Sequence, residues 1–233
     1  FRVAVPAEQI GWQLDLRATS GSAALAVRQS AVANEYINTA CADTTNSAMQ
    51  SIVLVPPVLT DASYYITVWG KPPFSAMLTN TEPVITDVPY AFSVTNDLPT
   101  RQGWRFYRAA DIDQQLATLG WELLLKNYAA GTEIAIRRNA LPGRWTSRTN
   151  FLQAQTTTVA KYLDGASATG FLQQPRHPAD VWYVGINNTN QSLGSFILTG
   201  REIPRLELSL GPTLVTNLVT EQRSGMFQYF QVE

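Results

Sequence analysis

The 233-residue sequence has few of the residue types on which most catalytic and metal sites depend. It contains one cysteine, Cys41, and one histidine, His177. A lone cysteine cannot form an internal disulfide, and no cysteine and histidine cluster has the spacing of a zinc or redox site. His177 lies in a proline-flanked loop, and the sequence has no Gly-x-Ser-x-Gly motif of a serine hydrolase. We therefore predict a chain that is not an enzyme, in which the acidic residues Asp15, Glu122 and Glu133 face solvent.

Charged residues and long apolar runs are scarce as well. Charged residues make up 15% of the chain and the formal net charge is −1, whereas an average protein has about 25% charged residues. Without a basic block, the sequence lacks the electrostatic footprint of a nucleic-acid-binding protein. It also has no apolar run of about 18 residues that would span a membrane. The hydrophobic content of 45% is ordinary, so we expect a folded chain rather than a disordered one.

An internal repeat is the main positive feature of the sequence. A repeat of this length is typical of tandem domains, because solenoid repeats are much shorter. Segments of the first copy return 109 to 118 residues later in similar form: GWQLDLR (11–17) as GWELLLK (120–126), LAVR (25–28) as IAIR (134–137), and YYITV (64–68) as WYVGI (182–186).

The repeated segments alternate apolar and polar residues with the period of a β-strand. Trp12, Leu14 and Leu16 alternate with polar residues, and the second copy keeps this pattern at 121–125. Short strands of this kind, separated by clusters of proline, glycine, asparagine and aspartate, are typical of antiparallel sheets packed as a sandwich. We predict an all-β fold of two tandem antiparallel β-sandwich domains.

The repeat also predicts the domain organisation. FQVE at 230–233 resembles FRVA at 1–4, so we expect a third copy to begin there and the chain to be a segment of a longer array. The predicted division is residues 1–92 for the first sandwich, 93–102 for a linker, 103–212 for the second sandwich, and 213–233 for a second linker and the start of a third repeat.

The second copy resembles the bacterial pre-peptidase C-terminal domain through Tyr107-Arg108, GTEIAIRRNALPGRW (131–145) and DVWYVGINNTNQSLGSFILTGRE (180–202). The first copy is similar to it through FRVAVP, ALAVRQ, ASYYITVWG and SAMLT, so the resemblance covers both copies nearly end to end. It implies a jelly-roll-like β-sandwich that is non-catalytic, lies beside secreted enzymes or in large surface proteins, and binds polymers or aids secretion.

The resemblance also bears on calcium. The acidic residue that often precedes the Leu-Tyr-Val strand of the family is Glu133 in the second copy, whereas the first copy has Ala24 there. Asp111 and Asp113 are the remaining calcium candidates, but they lack the spacing and the glycine of an EF-hand loop. We expect a solvated turn at these aspartates and no cofactor.

The expected location is extracellular or at a bacterial cell surface. Near-absence of cysteine in a chain rich in serine, threonine and asparagine fits an exported bacterial protein, and a cytosolic protein of this composition is the alternative. The sequence begins within a predicted strand, so we expect any targeting segment to lie upstream of it.

Aromatic residues are the candidate ligand contacts. Trp12, Trp121, Tyr64 and Trp182 share a face with aliphatic residues and are expected in the core. Tyr65 and Trp69 lie on the opposite face of their strand, and Trp145 lies in a loop beside Arg144. Flat aromatic rings stack on sugar rings or hold extended peptides. The alternative is that the tryptophans cap the ends of their own sandwich or fill the interface to the next copy.

Three hypotheses for function follow. The first is a non-catalytic repeat module of a large exported protein that serves as a spacer and an adhesive or substrate-binding unit. Its partner is an extracellular polysaccharide or protein, or a neighbouring domain. The second is a carbohydrate-binding module that uses the exposed aromatics. The third is a structural assembly domain in which a strand such as FQVE pairs with the open sheet edge of another chain.

Overall fold

The structure is a computed structural model in which the described regular elements are β-strands. This confirms the predicted all-β sandwich fold. Within the described part, no helix has the length and apolar composition needed to cross a membrane. The described residues are 1–43, 49–56, 59–97, 103–110, 118–129, 131–143, 158–162, 169–173, 181–188, 194–204, 206–208 and 230–232.

The first sandwich consists of two antiparallel sheets. One sheet has the strand order β1-β6-β3-β4 and the other the order β5-β2-β7. The strands are β1 (Arg2–Val5), β2 (Trp12–Ser20), β3 (Ala23–Gln29), β4 (Ala40–Asp43), β5 (Met49–Leu54), β6 (Ala62–Gly70) and β7 (Ser75–Thr81).

The second sandwich repeats this strand order and adds one strand to each sheet. Its sheets have the orders β13-β12-β15-β10-β8 and β14-β11-β16-β9. The strands are β8 (Ile85–Val88), β9 (Phe92–Asp97), β10 (Trp104–Ala110), β11 (Thr118–Lys126), β12 (Thr132–Arg138), β13 (Thr158–Tyr162), β14 (Thr169–Gln173), β15 (Val181–Asn188) and β16 (Ser195–Pro204).

The repeat in the sequence matches the repeat in strand order. The strand pairs β1 and β10, β3 and β12, and β6 and β15 each hold the same place in their sheet. The turn after β3 corresponds in detail, since Ser30 and Asn139 both have a positive φ, of 61° and 59°. The N–H of Ser30 donates to the carbonyl of Ser63 at 2.9 Å, and the N–H of Asn139 donates to that of Val181 at 2.7 Å. Residues of the two sandwiches can therefore be matched one to one around this turn.

Each sandwich has its own apolar core between its sheets. In the first, Trp12 and Tyr64 meet edge to face with ring centroids 5.3 Å apart, and the Trp12 indole N–H donates to the Asn80 side chain. The Tyr64 hydroxyl accepts a bond from the Thr60 N–H at 2.9 Å. Trp182 is likewise buried in the second core, as predicted, whereas the Trp121 side chain lies outside the described residues.

Residues 85–97 belong to the second sandwich. β8 pairs in parallel with β10, and β9 pairs antiparallel with β16. Val88 and Tyr90 are buried in the second core. This pairing corrects the predicted first domain of 1–92 and the predicted linker of 93–102. Proline, asparagine and aspartate make the segment look like a connection, but its apolar residues have surface to bury, and burial overrides composition. The second sandwich therefore begins at Ile85.

A short parallel pair lies near the end of the chain. β17 (Leu206–Leu208) pairs with β18 (Phe230–Val232), and Glu207 is opposite Gln231. The same kind of pair joins β8 to β10, where Asp87 is opposite Arg108. A first strand of a further repeat would pair in this way, and the third repeat itself stays a prediction.

Candidate binding surface and the joint between the sandwiches

The outer face of β6 carries the aromatic residues predicted to point away from the core. Tyr64 and Ile66 are buried in the first core, which leaves Tyr65, Thr67 and Trp69 half-buried on the opposite face. This alternation follows from the two-residue period of a strand. Whether Tyr65 and Trp69 contact a ligand stays a prediction.

A shallow cleft of about 280 Å³ lies beside Tyr65. Phe1 and Val32 form one part of its lining and are both largely exposed. Apart from the backbone, the polar groups that line it are the hydroxyls of Tyr65 and Thr67. The cleft therefore suits an apolar segment better than a charged group.

The remaining predicted site residues lie outside the described residues. These are Trp145 and Arg144 of the loop candidate and Asp111 and Asp113 of the calcium candidate, together with His177. In the part of the chain that the structure describes, no group of three or more histidine, cysteine, aspartate or glutamate residues is placed to hold a metal ion. The ligand and calcium roles of these residues stay predictions.

The corresponding outer face of the second sandwich is covered by the first sandwich. A buried cluster combines Val55, which follows β5, with Phe106, Leu141 and Tyr183 of the second sandwich, and Val53 packs against it. We call this contact the joint. Leu141 is 0% exposed and Tyr183 is 9% exposed.

Gly11 explains how Leu141 fits into the joint. A Cβ atom built on Gly11 would lie 2.7 Å from Leu141 Cδ1 and 2.9 Å from Pro83 Cγ. Real Cβ atoms do not approach other carbon atoms so closely, so any larger residue would displace the leucine. The glycine of the repeated Gly-Trp motif thus serves the contact between sandwiches.

Arg137 ties the two sandwiches together by hydrogen bonds. Its Nη1 donates to the Pro56 carbonyl of the first sandwich and to the Leu141 carbonyl at 3.1 Å. Burial lowers the pKa of Arg137, but an arginine in a protein remains charged. Backbone carbonyls therefore solvate a positive charge inside the joint.

A flat aromatic stack extends the covered face. Trp104 and Phe106 are parallel, with ring centroids 5.3 Å apart and an interplanar angle of 2°. The indole lies against Gly185, where a Cβ atom would meet it at 2.6 Å. The first sandwich has Thr67 at the position of Gly185, so this stack is specific to the second sandwich.

Glu133 departs from its expected solvent exposure. It is 9% exposed, and its Oε2 accepts a hydrogen bond from Asn187 Nδ2 at 2.8 Å. The prediction of a solvated acid was based on its outward position on β12. It is wrong because Glu133 is buried at that position and is bonded to Asn187 of the neighbouring strand.

An ion pair links the two strands that enter the second sandwich side by side. Arg108 Nε and Nη2 donate to Asp87 Oδ1 and Oδ2 at 2.6 and 2.8 Å. The hydrogen bond to Arg108 lowers the pKa of Asp87, and the same contact raises the pKa of Arg108. Both groups are well exposed, so the pair contributes little to stability.

Comparison with known proteins adds little to these observations. No protein-family model matches the sequence, and no curated protein matches it. Among solved structures, the chain is similar to the pre-peptidase C-terminal domain of collagenase from Bacillus anthracis, with 10% identity, 53% of this chain and 100% of that chain covered, and a TM-score of 0.36.

Two further solved structures have still lower scores. The periplasmic inhibitor of g-type lysozyme PliG from Aeromonas hydrophila is 13% identical over 50% of this chain and 97% of that chain, with a TM-score of 0.30. The Gx strain of infectious bursal disease virus is 12% identical over 82% of this chain and 55% of that chain, with a TM-score of 0.26. At these identities and scores, none of the likenesses supports an argument about ligand or activity.

The joint is a feature that the sequence patterns did not predict. The signal was present, because ALP at 140–142 and AVA at 31–33 hold equivalent places after β12 and β3. An apolar residue in an otherwise turn-like segment is a candidate for burial against another body. Only the fold shows which of the two is covered.

We predict that Leu141→Ala lowers the free energy of unfolding of the second sandwich by about 2–5 kcal/mol, because it removes a fully buried side chain and leaves a cavity in the joint. Urea unfolding followed by fluorescence measures this loss. As a control, Val84→Ala alters a valine that is 84% exposed and should change the free energy by less than about 0.5 kcal/mol. Equal effects of the two variants would contradict a buried joint.

We predict a small, pH-dependent contribution from Asp87. Because the pKa of Asp87 is lowered in the folded state, its ion pair stabilises the fold above the unfolded value of about 3.9 and is lost as the pH falls through the folded pKa. Asp87→Asn should cost roughly 0.2–1 kcal/mol at pH 7 and nothing near pH 2. Unfolding at both pH values, with Asp61→Asn as an exposed control, measures the difference. A cost that persists in acid would rule out the ion pair as its cause.

Proposed function

We propose that this chain is a non-catalytic repeat module of a large exported bacterial protein. In this proposal two sandwiches of the pre-peptidase C-terminal type act as a stiff spacer and as a binding unit for an extracellular polymer or a neighbouring domain. The repeated motifs of the sequence and the repeated strand order support two copies of one unit.

The joint is the observation that carries the spacer proposal. A flexible tether would leave each sandwich free to turn, and its residues would be polar and exposed. Here residues 85–97 are strands of the second sandwich, and Leu141 is buried against Gly11 and Val55 of the first. In this proposal, the buried apolar cluster and the Arg137 hydrogen bond hold the two sandwiches in one relative orientation.

The surroundings of the described charged groups support a non-catalytic role. Glu133 is bonded to Asn187, Arg137 to backbone carbonyls, and Asp87 to Arg108. Each of these charged groups therefore has a partner within the fold, which explains its presence by a structural role. A catalytic acid or base would instead face a pocket where a substrate can reach it.

The cleft beside Tyr65 favours a binding role as the second part of the proposal. Its apolar lining and its position on the outer face of a sheet allow a flat ligand or an apolar protein segment to lie on Tyr65 and Trp69. A polysaccharide is one candidate, because rings of sugars stack on aromatic side chains.

The spacer proposal predicts that Leu141→Glu loosens the two sandwiches, since it replaces a fully buried apolar side chain with a charged one that must lose its hydration to stay there. Small-angle X-ray scattering should show a larger radius of gyration and a broader distance distribution than in the wild-type chain. Far-UV circular dichroism should be unchanged, and Val84→Glu should scatter like the wild type. Identical scattering from Leu141→Glu and the wild type would refute a stiff joint.

The polymer-binding proposal predicts that the chain is retained on insoluble cellulose, chitin or peptidoglycan, and that Tyr65→Ala and Trp69→Ala each weaken retention about tenfold. Tyr36→Ala is a matched control, because that tyrosine is 86% exposed and lies in the loop before β4. Pull-down across a range of polymer concentrations measures the effect. Retention that all three variants share with the wild type would exclude this aromatic face.

A further inference from the structure

The outer face of the first sandwich carries the same residue types as the covered face of the second. Strand register and the matching turns at Ser30 and Asn139 establish which residues are equivalent. The equivalent pairs are Arg2 and Arg108, Arg28 and Arg137, Val32 and Leu141, and Tyr65 and Tyr183. Three of these four pairs are identical residues. We call the set of Arg2, Arg28, Val32 and Tyr65 the Val32 face.

The two equivalent faces differ in how much of them is exposed. Val32 is 67% exposed, whereas Leu141 at the same place is fully buried by the first sandwich. Tyr65 borders the cleft of about 280 Å³, whereas Tyr183 lies inside the joint cluster. The difference comes from the neighbour and not from the local sequence.

The residues that the first sandwich contributes to the joint also have equivalents in the second sandwich. On the first sandwich, Gly11, Val53 and Pro56 contact the second. On the second sandwich, Gly120 and Leu172 hold the places of Gly11 and Val53. The register supports this match, because Leu172 is opposite Glu122 of β11 as Val53 is opposite Gln13 of β2.

We propose that the Val32 face is a docking site for the second sandwich of another copy of this chain, in the geometry of the joint. Val32 of one copy lies over Gly120 of the other, as Leu141 lies over Gly11. Arg28 donates to a backbone carbonyl of the partner, as Arg137 donates to that of Pro56. The inference rests on the proposed function, since it uses the equivalence of the two sandwiches and names the partner of the binding face.

A protein partner fits this face better than a polysaccharide. The cleft is lined by Phe1, Val32 and the backbone and side chains of β6, and its side-chain polar groups are two hydroxyls. A sugar ring needs several hydrogen-bond partners around its rim, whereas an apolar strand end needs apolar cover and a donor for its last carbonyl. Val32 and Arg28 supply those two requirements.

Strand pairing adds a second contact to the same site. At the joint, β8 lies along β10 and Asp87 bonds to Arg108. Arg2 holds the place of Arg108 on β1, and β1 is the last strand of its sheet among the described residues. In the docked pair, β17 of one copy lies along β1 of the other, with Glu207 opposite Arg2. β18 occupies this edge of β17 within the chain, in the register Glu207 to Gln231, and competes with docking.

Sedimentation velocity of the full chain over a wide concentration range tests the proposal. The wild type should associate reversibly in a head-to-tail manner. Val32→Glu and Leu172→Glu should each weaken association more than tenfold, because each replaces an apolar side chain of the contact with a charged one that must lose its hydration on docking. Val84→Glu, at another exposed valine, should associate like the wild type, and circular dichroism should report the same fold for all variants.

Mixing the two defective variants identifies the geometry. Val32→Glu retains an intact second sandwich and Leu172→Glu retains an intact Val32 face, so an equal mixture should form dimers and no longer species, as a heterologous contact requires. Removal of residues 229–233 should strengthen association several-fold, because it frees β17.

Several outcomes would overturn the proposal. They are a wild-type chain that stays monomeric at all concentrations, a Leu172→Glu variant that still dimerises through a symmetric contact, association that disappears on removal of β18, and a Val32 face that binds polysaccharide while the chain remains monomeric. These outcomes are distinguishable from failure of the spacer proposal, which would appear as unchanged scattering of Leu141→Glu whether or not the chain self-associates.

Discussion

A sheet that carries large apolar side chains on both faces must be covered on both faces. The sheet that contains β10 and β15 is such a sheet, because Tyr107 and Val184 face its own core while Phe106 and Tyr183 face the other way. Its second cover comes from the first sandwich. The joint and the burial of Leu141 depend on this requirement, since without the cover an apolar patch would meet water.

Burial on this outer face also determines the partners of its charged groups. Glu133 and Arg137 lie on outward strand positions that are solvated in an open sheet. Glu133 is buried and Arg137 is half-buried, so both need partners, which Asn187 provides for Glu133 and the carbonyls of Pro56 and Leu141 provide for Arg137. Polar side chains that look like site residues in the sequence are thus explained by the cost of burying a polar group.

The sequence predicts what depends on local period and little of what depends on a neighbour. Alternation places Tyr64 in the core and Tyr65 outside, and the structure agrees. The repeated motifs predict two sandwiches, and the strand orders of the two match in the structure. The strands within residues 85–97 are not predicted, because proline, asparagine and aspartate give this segment the composition of a linker. Its strands pair with β10 and β16, and β16 is about 100 residues away in sequence. Tyr65 and Tyr183 follow the same pattern but differ in cover, and no periodicity distinguishes them.

β8 has a mechanical consequence. The chain leaves the first sandwich at Thr81 and within a few residues enters β8, whose residues Ile85 to Val88 are each paired with β10. A tensile load carried from one sandwich to the other therefore acts on a row of parallel backbone hydrogen bonds in shear, with the Asp87 and Arg108 contact beside them. The connection therefore resists extension at once, whereas a flexible linker would first become extended before it carried load.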